Sequence, residues 1–177
     1  TSEASSFGIT PKAVAWARSV AARYHDDVMS HRQSSITLQA QYAMAKRLVF
    51  GPLKARIGLD RAHVLATSAA PIAREVLEFF ASLDLPIAEI YGQSEVTGPT
   101  SVSTYSAMKL GKLGRPMPGV EVRIADDGEI LVKGGNVCLG YFKEPAATAE
   151  LLEDGWLHSG DVGRLDEDGF LEITGRK

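Results

Sequence analysis

The segment from residue 63 to residue 91 constrains the fold more than any other part of the chain. A short β-rich run over residues 63–68 is followed by a turn at Pro71, a helical apolar pattern over residues 72–83 and a second β-rich run over residues 87–91. Two strands joined by one helix favour a parallel pair with a crossover connection. Ligands of such sheets bind beyond the carboxyl ends of the strands. We therefore expect a ligand site near Ser68 and Tyr91.

Helical patterns precede this unit. Thr10 followed by a proline is typical of an N-cap and the first helical position. A second helix is predicted from about Thr37; the Gly51-Pro52 pair should interrupt or kink it, and Gly58 should end it. We interpret the apolar stripes as core, and a hydrophobic tunnel wall is the alternative. The first stripe comprises Trp16, Val20, Tyr24 and Val28.

Antiparallel strands are predicted from Gly111 onward. Residues 120–133 form one hairpin about an Asp-Asp-Gly turn, and residues 162–174 form another about an Asp-Glu-Asp-Gly turn, with a short helix after Pro145 between them. The predicted fold is α/β: a partial parallel βαβ sheet layer preceded by helices and followed by a small antiparallel sheet or partial barrel. We assign residues 1–110 to the helical and βαβ portion and residues 111–177 to an antiparallel β subdomain.

Composition and charge narrow the function classes. Hydrophobic residues make up 45% of the chain and charged residues 23%, which is typical of a globular protein rather than a disordered one. A net charge of -3 argues against nucleic-acid binding. Apolar runs stay shorter than the ~20 residues that span a bilayer, so no transmembrane segment is expected, and peripheral membrane contact stays open. A single cysteine, Cys138, fits a reducing compartment, so we expect a cytoplasmic location. From the character of both termini we expect a piece of a longer protein.

The run Tyr91-Gly92-Gln93-Ser94-Glu95 can carry chemistry. The ring of Tyr91 can stack on a flat base, and Gly92 allows close backbone approach. Ser94 can donate to a phosphate, and Glu95 can bind Mg²⁺, which favours one or two carboxylates together with phosphate oxygens. The alternative is a plain strand-to-turn transition with a solvated glutamate, and these residues alone favour that alternative.

Asp161 is the second candidate, because one carboxylate can accept hydrogen bonds from two vicinal hydroxyls of a ribose. The alternative is an aspartate that caps a loop. We reject His158 and Ser159 as a base and nucleophile, since neighbours in an extended chain point to opposite faces and no orienting third group is evident. The histidines and Cys138 give no metal-ligand spacing.

Taken together, these segments resemble the adenylate-forming superfamily of acyl-CoA synthetases, luciferases and peptide-synthetase adenylation domains. The residues from 154 to 163 and from 175 to 177 resemble the fatty acyl-CoA synthetase signature in particular, with Ser159 where threonine is commoner. The helical lead-in over residues 11–58 resembles the long-chain branch more loosely. The matching segments, in order, are residues 68–71, 91–95, 114–119, 128–134, 140–145, 154–161 and 175–177.

The resemblance implies a role for each candidate residue. Tyr91 would stack on adenine, and Asp161 would bind both ribose hydroxyls. Ser94 would contact phosphate and Glu95 would hold Mg²⁺; these two are the catalytic candidates. Arg176 would reach the ribose or phosphate. The remaining residues line adenine, or flank the acyl carboxylate and the α-phosphate: Ser68, Ala69, Ala70, Gly92 and Gln93.

The implied activity is that of an ATP-dependent acid–thiol ligase with a long-chain fatty acid, ATP, Mg²⁺ and coenzyme A as substrates and cofactors. The superfamily's phosphate loop lies upstream of these motifs and its C-terminal lid lies downstream of Arg176. Neither is in this sequence, so we expect the chain alone to be inactive and to end at the hinge to the lid. Two alternatives stay open: an aryl- or amino-acid-activating enzyme, and a non-catalytic structural module of the same fold.

Overall fold

A computed structural model describes residues 10–177, which form two compact units. The helical unit comprises the described residues up to Leu65 together with Ile72–Ile87, and the β unit comprises Ala66–Pro71 and Ala88–Lys177. The α/β class predicted from the sequence is confirmed. The proposed domain boundary between residues 110 and 111 stays a prediction. No helix within residues 10–177 is both long and apolar enough to cross a bilayer.

Four α-helices build the helical unit: α1 (Pro11–Met29), α2 (Ile36–Ala45), α3 (Gly51–Arg56) and α4 (Arg74–Ser82). The predicted cap at the start of α1 is confirmed, because the Thr10 side chain accepts a hydrogen bond from the Ala13 amide at 3.2 Å. A π-helical turn, Lys46–Phe50, separates α2 from α3. Pro52 has no N–H, and its ring crowds the preceding turn, so the helix widens to a π-helical turn just before it. This widened turn is the interruption that the Gly51-Pro52 pair predicts.

The core of the helical unit differs from the stripe that the sequence predicts for α1. Val20 is fully buried as expected, but Trp16 is 36% exposed. Small residues carry the buried face instead, since Ala17 and Ala21 are fully buried beside Val20 and allow close helix packing. The stripe prediction was therefore only partly right.

One buried carboxylate joins the four helices. Asp84 lies just after α4 and is 4% exposed. It contacts His25 Nε2 of α1 at 3.2 Å and Lys54 Nζ of α3 at 2.5 Å, and it accepts a hydrogen bond from the Tyr42 hydroxyl of α2. Burial raises the pKa of Asp84, but these three hydrogen bonds outweigh it and lower the pKa to about 2.

Replacing Asp84 by asparagine is expected to destabilise the protein by about 3 kcal/mol at neutral pH, because Lys54 loses its buried counter-charge. The pKa of Asp84 falls from 3.8 in the unfolded chain to about 2 in the fold. Its contribution is therefore fully present above about pH 4 and is lost as the pH falls towards 2. Urea unfolding of wild type and D84N should show that the difference between their free energies of unfolding narrows as the pH falls from about 4 towards 2. The exposed control Asp60→Asn should show no gap, and a pH-independent gap would contradict the ion-pair origin.

The first sheet of the β unit has four strands in the order β1-β2-β3-β4. The strands are β1 (Ala66–Thr67), β2 (Ala88–Gln93), β3 (Gly98–Val102) and β4 (Arg115–Pro116). β1 and β2 are parallel, with Ala66 opposite Ala88, which confirms the expected crossover pair. β1 is much shorter than predicted. β2 also pairs antiparallel with β3, a strand that the sequence analysis did not predict.

The second sheet is open and antiparallel, in the order β5-β6-β8-β7, with β9 paired to β8. Both predicted hairpins are confirmed, β5 with β6 and β8 with β9, and the helix predicted after Pro145 is α5 (Pro145–Leu151). The buried face of this second sheet includes Ile130, Val132 and Leu157. The strands are β5 (Val120–Ile124), β6 (Glu129–Gly134), β7 (Leu152–Glu153), β8 (Trp156–Leu165) and β9 (Leu171–Arg176).

Candidate functional site

Two of the predicted site residues meet although 70 positions separate them. The Tyr91 hydroxyl at the end of β2 donates a hydrogen bond to Asp161 Oδ2 of β8 at 2.8 Å. Burial raises the pKa of Tyr91, and the nearby Asp161 carboxylate raises it further. The phenol therefore stays a donor at neutral pH, and the Asp161 side chain keeps 17% of its surface exposed.

Arg176 and Gln93 complete what we call the Tyr91–Asp161 cluster. Arg176 lies directly opposite Asp161 in the β8–β9 pair, and its Nε is 3.7 Å from Asp161 Oδ1. The Arg176 side chain is 79% exposed, so it remains available to a ligand. Gln93 Nε2 lies 3.5 Å from the Tyr91 hydroxyl. An aromatic ring, a carboxylate, an amide and a guanidinium thus gather at one place.

Local backbone geometry explains how the segment that ends at Asp161 departs from the β6–β8 ladder. Gly160 adopts a φ of 73°, a left-handed conformation that glycine tolerates best. The Ser159 hydroxyl then accepts a hydrogen bond from the Asp161 amide at 3.1 Å. This contact also agrees with rejecting Ser159 as a nucleophile paired with its neighbour, because His158 contacts Glu129 instead.

Ser94 and Glu95 begin a 3₁₀ turn, Ser94–Val96, directly after β2. Ser94 is exposed, and Glu95 Oε1 accepts a hydrogen bond from the Tyr141 hydroxyl at 2.7 Å. That bond raises the pKa of Tyr141. Because Glu95 follows Tyr91 by only four residues, its Cα lies at most about 14 Å from the Cα of Tyr91.

The glycine of this segment has a clear structural role. A Cβ at Gly92 would lie 1.9 Å from the backbone oxygen of Gly98, so only glycine lets β2 approach β3 at this bulge. In the structure it is the backbone of β3 that approaches Gly92 closely. Approach of a ligand to Gly92 stays a prediction.

The turn after β1 lies at the same sheet edge as Tyr91, since β1 and β2 are parallel. Ala69 has a φ of 73°, which non-glycine residues rarely adopt. The predicted contact of this turn with adenine stays a prediction. Its three exposed residues are Ser68, Ala69 and Ala70.

Two partners of the site, Tyr141 and Glu129, are not predicted from the sequence. Tyr141 binds Glu95, and Glu129 is a buried carboxylate that contacts Gly160, His158 and Lys177. A glutamate at the start of a strand gives no local signal of burial, because its partners lie 29 to 48 residues away. The burial of Glu129 becomes visible only from the register between β6 and β8.

The fold defines the class of protein: solved structures that it resembles are adenylate-forming enzymes. An o-succinylbenzoate CoA synthetase from Bacillus subtilis, in complex with its acyl-adenylate intermediate, superposes with a TM-score of 0.60 at 31% identity, over 65% of this chain and 26% of that one. An amide bond synthetase from Marinactinospora thermotolerans gives a TM-score of 0.61 at 31% identity, over 71% of this chain and 28% of that one.

The chain belongs to the AMP-binding enzyme family, whose model matches residues 11–142, and the resemblance inferred from the motifs is confirmed. A putative fatty-acid–CoA ligase, fadD11, from Mycobacterium tuberculosis is 43% identical over 94% of this chain and 29% of its own length. A long-chain-fatty-acid–CoA ligase, ACSBG2, from Mus musculus is 41% identical over 93% of this chain and 25% of its own length. The chain thus spans between a quarter and a third of these relatives.

Proposed function

We propose that this chain is part of a longer ATP-dependent ligase that converts a long-chain fatty acid to acyl-AMP and then to the coenzyme A thioester. The observation that carries the proposal is the hydrogen bond between Tyr91 and Asp161, which joins two family motifs into one cluster. Relatives named as fatty-acid–CoA ligases support the choice of acid. A cytoplasmic location is also proposed, supported by the single cysteine.

In this proposal the cluster holds the nucleoside. The carboxylate of Asp161 accepts hydrogen bonds from both ribose hydroxyls, and the exposed Arg176 guanidinium approaches the ribose or phosphate. Tyr91 is 6% exposed, so only a small part of its ring is free to stack on adenine, and the exposed turn of Ser68, Ala69 and Ala70 lines the other side of the base. Gln93 and Gly92 flank the acyl carboxylate and the α-phosphate.

Glu95 would hold Mg²⁺, with Ser94 donating to a phosphate oxygen. A single carboxylate fits this ion, because Mg²⁺ takes one or two carboxylates together with phosphate oxygens and water. Only one of the two Glu95 carboxylate oxygens is the acceptor for Tyr141. When bound, Mg²⁺ neutralises phosphate charge.

The reaction brings two anions together. An oxygen of the fatty-acid carboxylate attacks the α-phosphorus of ATP, a P–O bond forms, and pyrophosphate leaves. The thiolate of coenzyme A then attacks the acyl carbon, and AMP leaves with the carboxyl oxygen. The phosphate loop and C-terminal lid of the longer protein would supply the remaining groups, so the 177-residue chain alone should give no ATP–pyrophosphate exchange.

The proposal is tested by ATP–pyrophosphate exchange of the purified longer protein with palmitate, benzoate and leucine. Exchange that depends on palmitate, followed by palmitoyl-CoA formation, is the expected result. Exchange with benzoate or leucine alone would favour an aryl- or amino-acid-activating enzyme instead. Failure with every acid would favour a non-catalytic module.

Replacing Asp161 by alanine in the longer protein is expected to weaken AMP binding by about tenfold to a hundredfold, because two charge-assisted hydrogen bonds to the ribose are lost. Isothermal titration calorimetry with AMP measures the change. The matched control is Asp126→Ala at an exposed hairpin tip, which should bind as wild type does. Equal affinity of D161A and wild type would rule out the ribose role.

A further inference from the structure

We propose that Glu129 is a positioning residue for nucleotide binding, which holds Asp161 and Arg176 in place through the backbone of Gly160 and through Lys177. This inference rests on the proposed nucleotide role of Asp161. Glu129 lies at the start of β6, on the strand that pairs with β8.

The Glu129 carboxylate is 4% exposed and has donors on both oxygens. Oε1 accepts a hydrogen bond from the Gly160 amide at 2.8 Å. Oε2 accepts one from Lys177 Nζ at 3.0 Å and lies 3.0 Å from His158 Nδ1. Residues on β6, β8 and the end of β9 therefore meet at one buried charge.

The β6–β8 register explains why Asp161 needs this support. Glu129 is opposite Val162 and Leu131 is opposite His158, so one residue of β6 faces three residues of β8. The extra residues bulge out of the β6–β8 ladder and lose regular backbone partners on the β6 side, while Asp161 stays paired with Arg176 on the β9 side. The Glu129 carboxylate supplies an acceptor for the Gly160 amide in that bulge, immediately before Asp161.

Lys177 extends the same support to the other side of the cluster. Its backbone amide donates to the Gly160 oxygen at 2.8 Å, while its ammonium binds Glu129 and lies 2.5 Å from Asp127 Oδ2. Lys177 directly follows Arg176, which pairs with Asp161 across the β8–β9 ladder. Glu129 thus fixes the residue before Asp161 and the residue after Arg176.

The charge on Glu129 is maintained within the fold. Burial raises the pKa of Glu129, but the hydrogen bonds from His158, Lys177 and Gly160 outweigh it and hold the pKa below its usual value. A carboxylate accepts from all of these donors. A glutamine amide accepts through one end only, so either Gly160 or Lys177 would lose its acceptor.

The test uses Glu129→Gln in the longer protein, with ATP and 2′,3′-dideoxy-ATP as the two nucleotides. The KM for ATP should rise about tenfold, because Asp161 no longer meets the ribose hydroxyls in a fixed position. The KM for the dideoxy nucleotide, which lacks those hydroxyls, should rise by less than about threefold, because only the contact of Arg176 is then affected. The matched control Glu121→Gln, an exposed glutamate on β5 of the same sheet, should leave both values unchanged.

Each alternative result counts against the proposal. A rise that is equal for both nucleotides would mean a general structural role, and unchanged values would mean none. If D161A loses the discrimination between the nucleotides while E129Q keeps it, the positioning role of Glu129 is wrong and the ribose role of Asp161 stands. If wild type does not discriminate between the nucleotides, the ribose role of Asp161 is wrong as well. If E129Q does not fold, the second variant is Lys177→Met, which removes an exposed ammonium. It should still lower the discrimination between ATP and the dideoxy nucleotide about threefold, and discrimination equal to wild type would overturn the proposal.

Discussion

Replacing Glu95 by glutamine is expected to lower kcat/KM for acyl-adenylate formation on the order of a thousandfold in the longer protein. Glutamine keeps the shape of the side chain and the acceptor for Tyr141, but it removes the negative charge that the proposed Mg²⁺ requires. Pyrophosphate release measured across a Mg²⁺ titration would report the change. Higher Mg²⁺ concentrations should restore part of the lost rate.

The control for this prediction is Glu150→Gln, on the exposed face of α5 in the same unit. It should match wild type at every Mg²⁺ concentration. A rate for E95Q within about threefold of wild type would contradict the metal role, because loss of a metal carboxylate costs far more than that.

Replacing Gly92 by alanine is expected to destabilise the protein by about 4 kcal/mol or more. The new Cβ would lie 1.9 Å from the oxygen of Gly98, 2.7 Å from its carbonyl carbon and 2.8 Å from Cα of Pro99. These are backbone atoms, so no side-chain rotation can relieve the clash, and β2 and β3 must separate. Denaturant unfolding measures the loss.

Gly135→Ala is the matched control, because a Cβ at Gly135 would meet nothing within 4 Å. It should shift the unfolding free energy by less than about 1 kcal/mol. A G92A protein as stable as this control would show that β2 and β3 do not pack as closely as described.

Local signals predicted the elements that depend on neighbouring residues. The cap at Thr10 and both hairpin turns are determined within a few residues, and the structure confirms them. β3 escaped prediction because it pairs with β2 around a bulge that Gly92 makes possible, and nothing in its own residues indicates that pairing. Trp16 was misplaced because hydropathy favours the large residue, whereas the helix contacts are made by small alanines.

Charged residues mark the limit of sequence reasoning for the site. The sequence gives no sign that Glu129 and Asp84 differ from acids at the surface, yet both are buried. Their burial is possible because donors from distant strands or helices bind their carboxylates. The family motifs placed Tyr91 and Asp161 at one nucleotide site, but their hydrogen bond was not predicted, because spacing along the chain cannot reveal a contact between residues 70 positions apart.

The arrangement around Asp84 has a consequence for how the helical unit moves. Three helices, α1, α2 and α3, each provide one group to the carboxylate of Asp84, which lies two residues after the end of α4. Departure of α3 removes the Lys54 counter-charge, and departure of α1 or α2 removes a hydrogen-bond partner of a buried carboxylate. Opening of the four segments should therefore be cooperative, as one folding unit with a shared free energy of exchange, rather than fraying helix by helix.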